Sequence, residues 1–153
     1  MKKSNLKPLE KKLGYTFNDK QLLTTALTHK TYAFEAQTPI EYNERLEFLG
    51  DGILNFVTTE SLYQSNQYFS EGELTRRRAQ GVNNNVLADV AVRLNIGPYL
   101  LLGKGEQKQE GAKNRTNLAN ALEALIGAIY LDSDLITVKN FIFKKIYTKE
   151  FHF

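Results

Sequence analysis

The sequence predicts an all-α fold, and three features carry the prediction. Apolar residues recur at i, i+3, i+4 and i+7 through most of the chain, the period of an amphipathic helix. The strict alternation of a half-buried strand is nowhere sustained. Residues that start and stop helices, among them Gly14, Asn18, Asp19 and Ser70, fall at the ends of the periodic stretches.

The elements follow in order. Leu6, Leu9 and Leu13 predict a short helix that Gly14 ends. Asn18-Asp19 can cap a second helix over residues 20–29, with Leu22, Leu23, Ala26 and Leu27 on its inner side. His29 follows a buried-looking Leu27 and reads as structural rather than catalytic. Residues 33–41 read as a loop, with Thr38-Pro39 its clearest signal. A long central helix is expected over residues 42–63, then a polar link over 64–70. Ser70 and Glu73 form a capping box that opens the next helix, which carries the basic run Arg76-Arg77-Arg78. That run is either a solvated face or a contact for phosphates.

Gly81 and Asn83-Asn84-Asn85 predict a break, followed by a helix to about Leu94 and a turn at Asn95-Ile96-Gly97-Pro98. Leu100-Leu101-Leu102 is a short apolar piece, helical or irregular. Residues 103–114 are polar, contain three glycines, and are expected to form the most mobile loop. A helix over residues 115–131 has an apolar face of Leu118, Leu122, Leu125, Ile126 and Ile129, with Asn120 and Glu123 on another face. Asp132-Ser133-Asp134 recaps the chain before a last amphipathic helix over 135–147.

The most informative stretch runs from Glu44 to Gly52. On a helix Glu44, Glu47 and Asp51, spaced i, i+3, i+7, share one side, beside the apolar stripe of Leu46, Leu49, Ile53, Leu54 and Val57. Like charges so close call for compensation, by a basic partner or by a hard divalent cation that oxygen ligands can hold. Gly50 and Gly52 sit inside this helical pattern, each at a cost of about 1 kcal/mol relative to Ala. They predict a close approach by another backbone.

Composition narrows the classes. A chain of 153 residues suits one domain with a real core. There is no cysteine, which excludes disulfides and thiolate metal sites and is compatible with a reducing cytoplasm. His29 and His152 are too far apart in sequence for a zinc spacing. No apolar run approaches the ~20 residues of a membrane span, and no signal-peptide apolar region follows Met1. The net charge of +3 is weakly in favour of a polyanionic partner.

The segment Asn43-Glu44-Arg45-Leu46-Glu47-Phe48-Leu49-Gly50-Asp51-Gly52-Ile53-Leu54 resembles the signature of the ribonuclease III family almost throughout. Three further segments match in the same order: residues 26–32, residues 71–76, and residues 121–132 with Glu123. Together they span about residues 6–147. The resemblance implies a helical endonuclease domain that works as a homodimer on double-stranded RNA, in the cytoplasm, and processes ribosomal or messenger RNA. It implies 5′-phosphate products with short 3′ overhangs. It places magnesium ligands at Glu47, Asp51, Asn120 and Glu123, with manganese as a substitute ion and with Asp51 and Glu123 catalytic. Glu44 and Glu71 match accessory acidic positions. Arg76, Arg77, Arg78, Lys104, Lys108 and Lys113 are candidate contacts for the RNA backbone. No membrane and no small-molecule cofactor is expected.

Elementary chemistry agrees with that assignment. Phosphodiester hydrolysis builds charge on the attacking and leaving oxygens, and a divalent cation can activate water and neutralise that charge. A-form RNA is read mainly by shape and 2′-hydroxyls, so strict sequence specificity is not expected.

Two departures stand out. The family has Asp where this chain has Asn120, so one ligand loses its charge and the form as written is expected to be impaired. An engineered substitution, a natural active variant and a degenerate, non-cutting member all fit that observation. The chain also stops at Phe151-His152-Phe153, where bacterial members continue into a double-stranded-RNA-binding domain; the expectation is a single nuclease domain over 1–153. The alternative function is a non-catalytic RNA-binding or assembly module on the same fold. A helical di-metal oxidase fits poorly, since Glu-x-x-His pairs are absent.

Overall fold

The computed structural model describes residues 5–147, so His152 and the ending Phe151-His152-Phe153 lie outside the described residues. Nine α-helices are found among the described residues, and no strand beyond an isolated bridge between Thr28 and Leu101. No helix among them is long and apolar enough to cross a membrane.

The core is built around α8 (Arg115–Asp132). Its residues Leu118, Ala119, Ala121, Leu122 and Ala124 to Ile129 are buried on every side, as expected of a helix apolar all round. Against it pack α2 (Lys20–Leu27), α4 (Glu44–Ser65), α6 (Asn84–Arg93) and α9 (Leu135–Lys145), with α4 making the most extensive contact. Leu46, Ile53, Leu54 and Val57 of α4 enter this core as the stripe predicts, and Leu49 packs at its edge.

Local chemistry sets the helix ends. Helix α1 (Lys7–Leu13) stops where Gly14 turns left-handed at φ 68°. The Asp19 carboxylate accepts from the Gln21 N–H at 2.8 Å to start α2. Ser70 and Glu73 form the expected capping box of α5 (Glu71–Gly81). Asn114 caps α8 by accepting from the Thr116 and Asn117 N–H groups.

Three expectations are corrected. Residues 30–35 form α3 (Lys30–Glu35), which takes the first three residues of the loop expected over 33–41. Helix α2 therefore ends at Leu27, and His29 is the N-cap of α3, its ring accepting from the Thr31 N–H. This supports the structural reading of His29. Residues 103–114 contain α7 (Lys104–Lys108) and a 3-10 turn at Gly111–Lys113. Gly103 lies against Thr31 and Glu35, and the Glu35 carboxylate accepts from the Lys104 N–H, so α3 anchors this segment. Gly103 and Gly111 serve close packing there, whereas a Cβ at Gly105 would meet nothing within 4 Å.

Asp132 closes the other end of α8. Its carboxylate accepts from the Tyr15 hydroxyl at 2.7 Å and from the Asn18 and Asp19 N–H groups at 2.8 Å. Asp132→Ala strands three donors and is expected to cost about 2 kcal/mol in urea unfolding. A loss under about 0.5 kcal/mol would show that water replaces the carboxylate freely.

An acidic cluster at the crossing of two helices

The site is made by one close helix crossing. Gly50 of α4 faces the backbone of Glu123 and Gly127 on α8, while Gly127 faces Leu46 and Gly50 in return. Two missing side chains let the helices approach at backbone distance. That brings the acids of α4 beside Glu123.

Glu123 is the single charged residue between Leu118 and Ile129, and the residue is 8% exposed. Burial, together with the charges of Asp51 and Glu47, pushes its carboxyl up to about 7. Burial raises Glu47 too, with Glu44 and Asp51 adding to the effect and Lys30 partly offsetting it. Neither the Glu47 nor the Glu123 carboxylate accepts a hydrogen bond from a described residue, whereas Asp51 Oδ1 accepts from Asn55 Nδ2 at 2.8 Å. Lys30, the first residue of α3, pairs with Glu44 at 3.1 Å. It is the basic partner that the like charges of α4 called for, and it compensates only one end of the cluster.

Glu44 and Asp51 thus act on Glu47, and Glu47 and Asp51 act on Glu123. Asn120 is half-buried on α8, three residues before Glu123. Glu71 is not among the charges felt by Glu47 or Glu123. It accepts from Thr75 at 2.9 Å on α5 and lines a cavity of about 250 Å³ between α4 and α5 with Thr59, Tyr63 and Arg78.

The donor chemistry fits a hard divalent cation: oxygen ligands, an excess of negative charge, and, at Glu47 and Glu123, carboxylates that accept no hydrogen bond from a described residue. Among the described residues no three His, Asp or Glu side chains converge on one point where they could share an ion. Mutual repulsion favours that spacing, and magnesium, which keeps several waters, needs few protein ligands.

The basic candidates divide. The arginine run fans out in three directions: Arg76 is exposed, Arg77 lies 4.1 Å over the Phe69 ring, and Arg78 donates to Thr59. Lys113 pairs with Glu110 at 2.6 Å. Lys104 and Lys108 are exposed and, among the described residues, carry no ion pair.

Two expectations about glycine need separating. Gly50 meets the close approach predicted for it, but a Cβ at Gly52 would have nothing within 4 Å. Since the Gly50 contact lies inside the chain, it lends no support to a dimer. A feature missed from sequence takes that place. Phe48 is 82% exposed and Phe56 51% exposed. They flank the open Gly52 at i, i+4, i+8 on the side of α4 turned away from the core, and that second apolar line was legible beside the first.

A family model described as Ribonuclease-III-like matches residues 19–150. Ribonuclease 3 of Buchnera aphidicola is 49% identical over 138 residues, covering 90% of this chain and 58% of the relative. Ribonuclease 3 of Pseudomonas putida is 49% identical over 136 residues, covering 89% and 57%. The chain therefore spans a little under three-fifths of the length of these curated relatives. Among solved structures, the nuclease domain of the Campylobacter jejuni ribonuclease III superposes with a TM-score of 0.86 at 39% identity, covering 93% of this chain and 96% of that one. Dicer from Pichia stipitis matches with a TM-score of 0.64 at 27% identity, covering 89% of this chain and 57% of that one.

Proposed function

The chain belongs to the ribonuclease III family, and from that premise we propose that it is a single nuclease domain of a divalent-metal-dependent endoribonuclease acting on double-stranded RNA. The observation that carries this reading is that Glu47 and Asp51 of α4 lie close enough to the buried Glu123 of α8, across the Gly50–Gly127 contact, to act on its charge.

In this reading Glu47, Asp51 and Glu123, with the amide carbonyl of Asn120, are the groups from which magnesium, or manganese in its place, would take its few protein ligands, with water filling the other positions. When bound, the ion supplies an activated water and neutralises charge on the phosphate oxygens. Glu123 must shed the proton that burial favours before it can act as a ligand. Lys30 tempers the charge of Glu44 and Glu47 from the α3 side. Arg76, Lys104 and Lys108, with exposed side chains, are the best placed of the basic candidates to hold the RNA backbone through salt-sensitive contacts. Products carry 5′-phosphates and short 3′ overhangs, and the site of action is the cytoplasm.

The working form is a homodimer. Phe48, Phe56 and Tyr63 expose apolar surface along α4, and a patch of this kind marks an interaction face. The similar nuclease domain of Campylobacter jejuni ribonuclease III has a structurally flexible region involved in dimer formation. Sedimentation at micromolar concentration is expected to show two chains; a monomer throughout would remove this element.

Asn120 sets the test. Restoring the missing charge with Asn120→Asp is expected to raise magnesium-dependent cleavage of a perfect RNA duplex at least about tenfold. Equal cleavage by both forms would mean that the site tolerates the amide. Duplex binding with no cleavage by either form would favour the second reading, a non-catalytic RNA-binding module, to which Asn120 itself points.

A further inference from the structure

We infer that Asn55 is a positioning residue for Asp51. Its side-chain amide donates to Asp51 Oδ1 at 2.8 Å and to the Asp51 backbone carbonyl at 3.0 Å. Both acceptors belong to one residue, so the amide fixes the carboxylate relative to its own helix turn. Among the described residues Asp51 Oδ2 accepts no hydrogen bond, which leaves one oxygen for a ligand while the other is held.

Residue choice argues that this is more than a surface pair. Asparagine is a poor helix-interior residue because its side chain competes for backbone partners, yet Asn55 sits in the middle of the 22-residue α4. A lysine or arginine at the same place would also grip Asp51. It would, however, bring a positive charge beside a cation site. An amide orients the carboxylate and adds no net charge, as groups that support metal ligands do. With Asn120 neutral, the remaining acids carry the whole charge of the site. The orientation of Asp51 then counts for more than it would among four acids.

This inference rests on the proposed reading of Asp51 as a metal ligand, and the experiment separates the two. Magnesium chloride is titrated into the chain, Asn55→Ala and Asn55→Gln, followed by nitrogen-15 NMR, with thermal melting recorded in EDTA. The Asn55 side-chain amide signals, assigned by their loss in Asn55→Ala, are expected to shift as magnesium is added. Asn55→Ala is expected to bind magnesium about tenfold more weakly, with a melting temperature in EDTA no lower than the parent's, because Ala is the better helix former. Asn55→Gln, which can make the same i, i+4 bond, is expected to recover most of the affinity. Unchanged magnesium affinity in Asn55→Ala overturns the inference, whatever its melting temperature. A loss that Asn55→Gln does not recover overturns it as well. A parent chain whose spectrum ignores magnesium overturns the metal reading of Asp51 and this inference together.

Discussion

Gly50→Ala is expected to cost about 3 kcal/mol or more in stability, the upper range for overpacking, and to abolish cleavage. The added Cβ would lie 1.7 Å from the Glu123 carbonyl oxygen, 2.6 Å from its carbon and 3.0 Å from the Gly127 nitrogen. All three are backbone atoms of α8, and none can rotate away. The helices must separate, and a close-packed interior transmits that separation to every residue between them. Glu123 would then move off the acids of α4. Gly52→Ala is the control, because its Cβ would meet nothing within 4 Å. There the helix-propensity term stands alone, and the chain itself is expected to gain about 1 kcal/mol. Urea unfolding of the three proteins measures both. Should Gly50→Ala come within about 1 kcal/mol of the parent, a small fraction of the overpacking cost, the helices do not cross at backbone contact.

Glu123→Gln is expected to stabilise the chain in EDTA at pH 8 while removing magnesium binding and cleavage. Burial raises the folded-state value of Glu123 from an ordinary 4.5 to about 7, with Asp51 and Glu47 adding to the shift. Below pH 4.5 the carboxyl is protonated whether the chain is folded or not, so no penalty exists. Between pH 4.5 and 7 the unfolded chain gives up the proton and the folded chain keeps it, so stability falls as pH rises. Above pH 7 the full penalty, on the order of 3 kcal/mol, is present. Glutamine is neutral at every pH and escapes it. The difference between parent and variant should therefore be small near pH 4.5 and reach its maximum by about pH 8. A difference that stays flat over that range would mean that Glu123 is not the group charged against its surroundings. Both halves found together would identify the charge that weakens the fold as the charge that holds a cation.

Much of this is legible residue by residue. The end of α1 at Gly14, the capping box at Ser70 and Glu73, and the apolar stripe of α4 lie where periodicity and capping rules put them. Departures cluster where distant segments meet. Helix α3 is hidden from the sequence because six residues hold too little periodicity to signal a helix, and its stability comes from its contact with the 103–114 segment. That segment reads as mobile for the same reason in reverse, since Gly103 and Gly111 serve packing against Thr31 and Glu106.

For the site, the sequence by itself determined the spacing of Glu44, Glu47 and Asp51 on α4 and of Asn120 and Glu123 on α8. Each of these is a relation within about two helical turns, and helix geometry alone sets it. Only the tertiary structure decided that Glu123 sits beside Asp51, that Lys30 answers Glu44, and that Arg77 and Arg78 turn to Phe69 and Thr59. These relations depend on where helices cross and how closely they come, and a crossing is the joint result of every side chain packed between them.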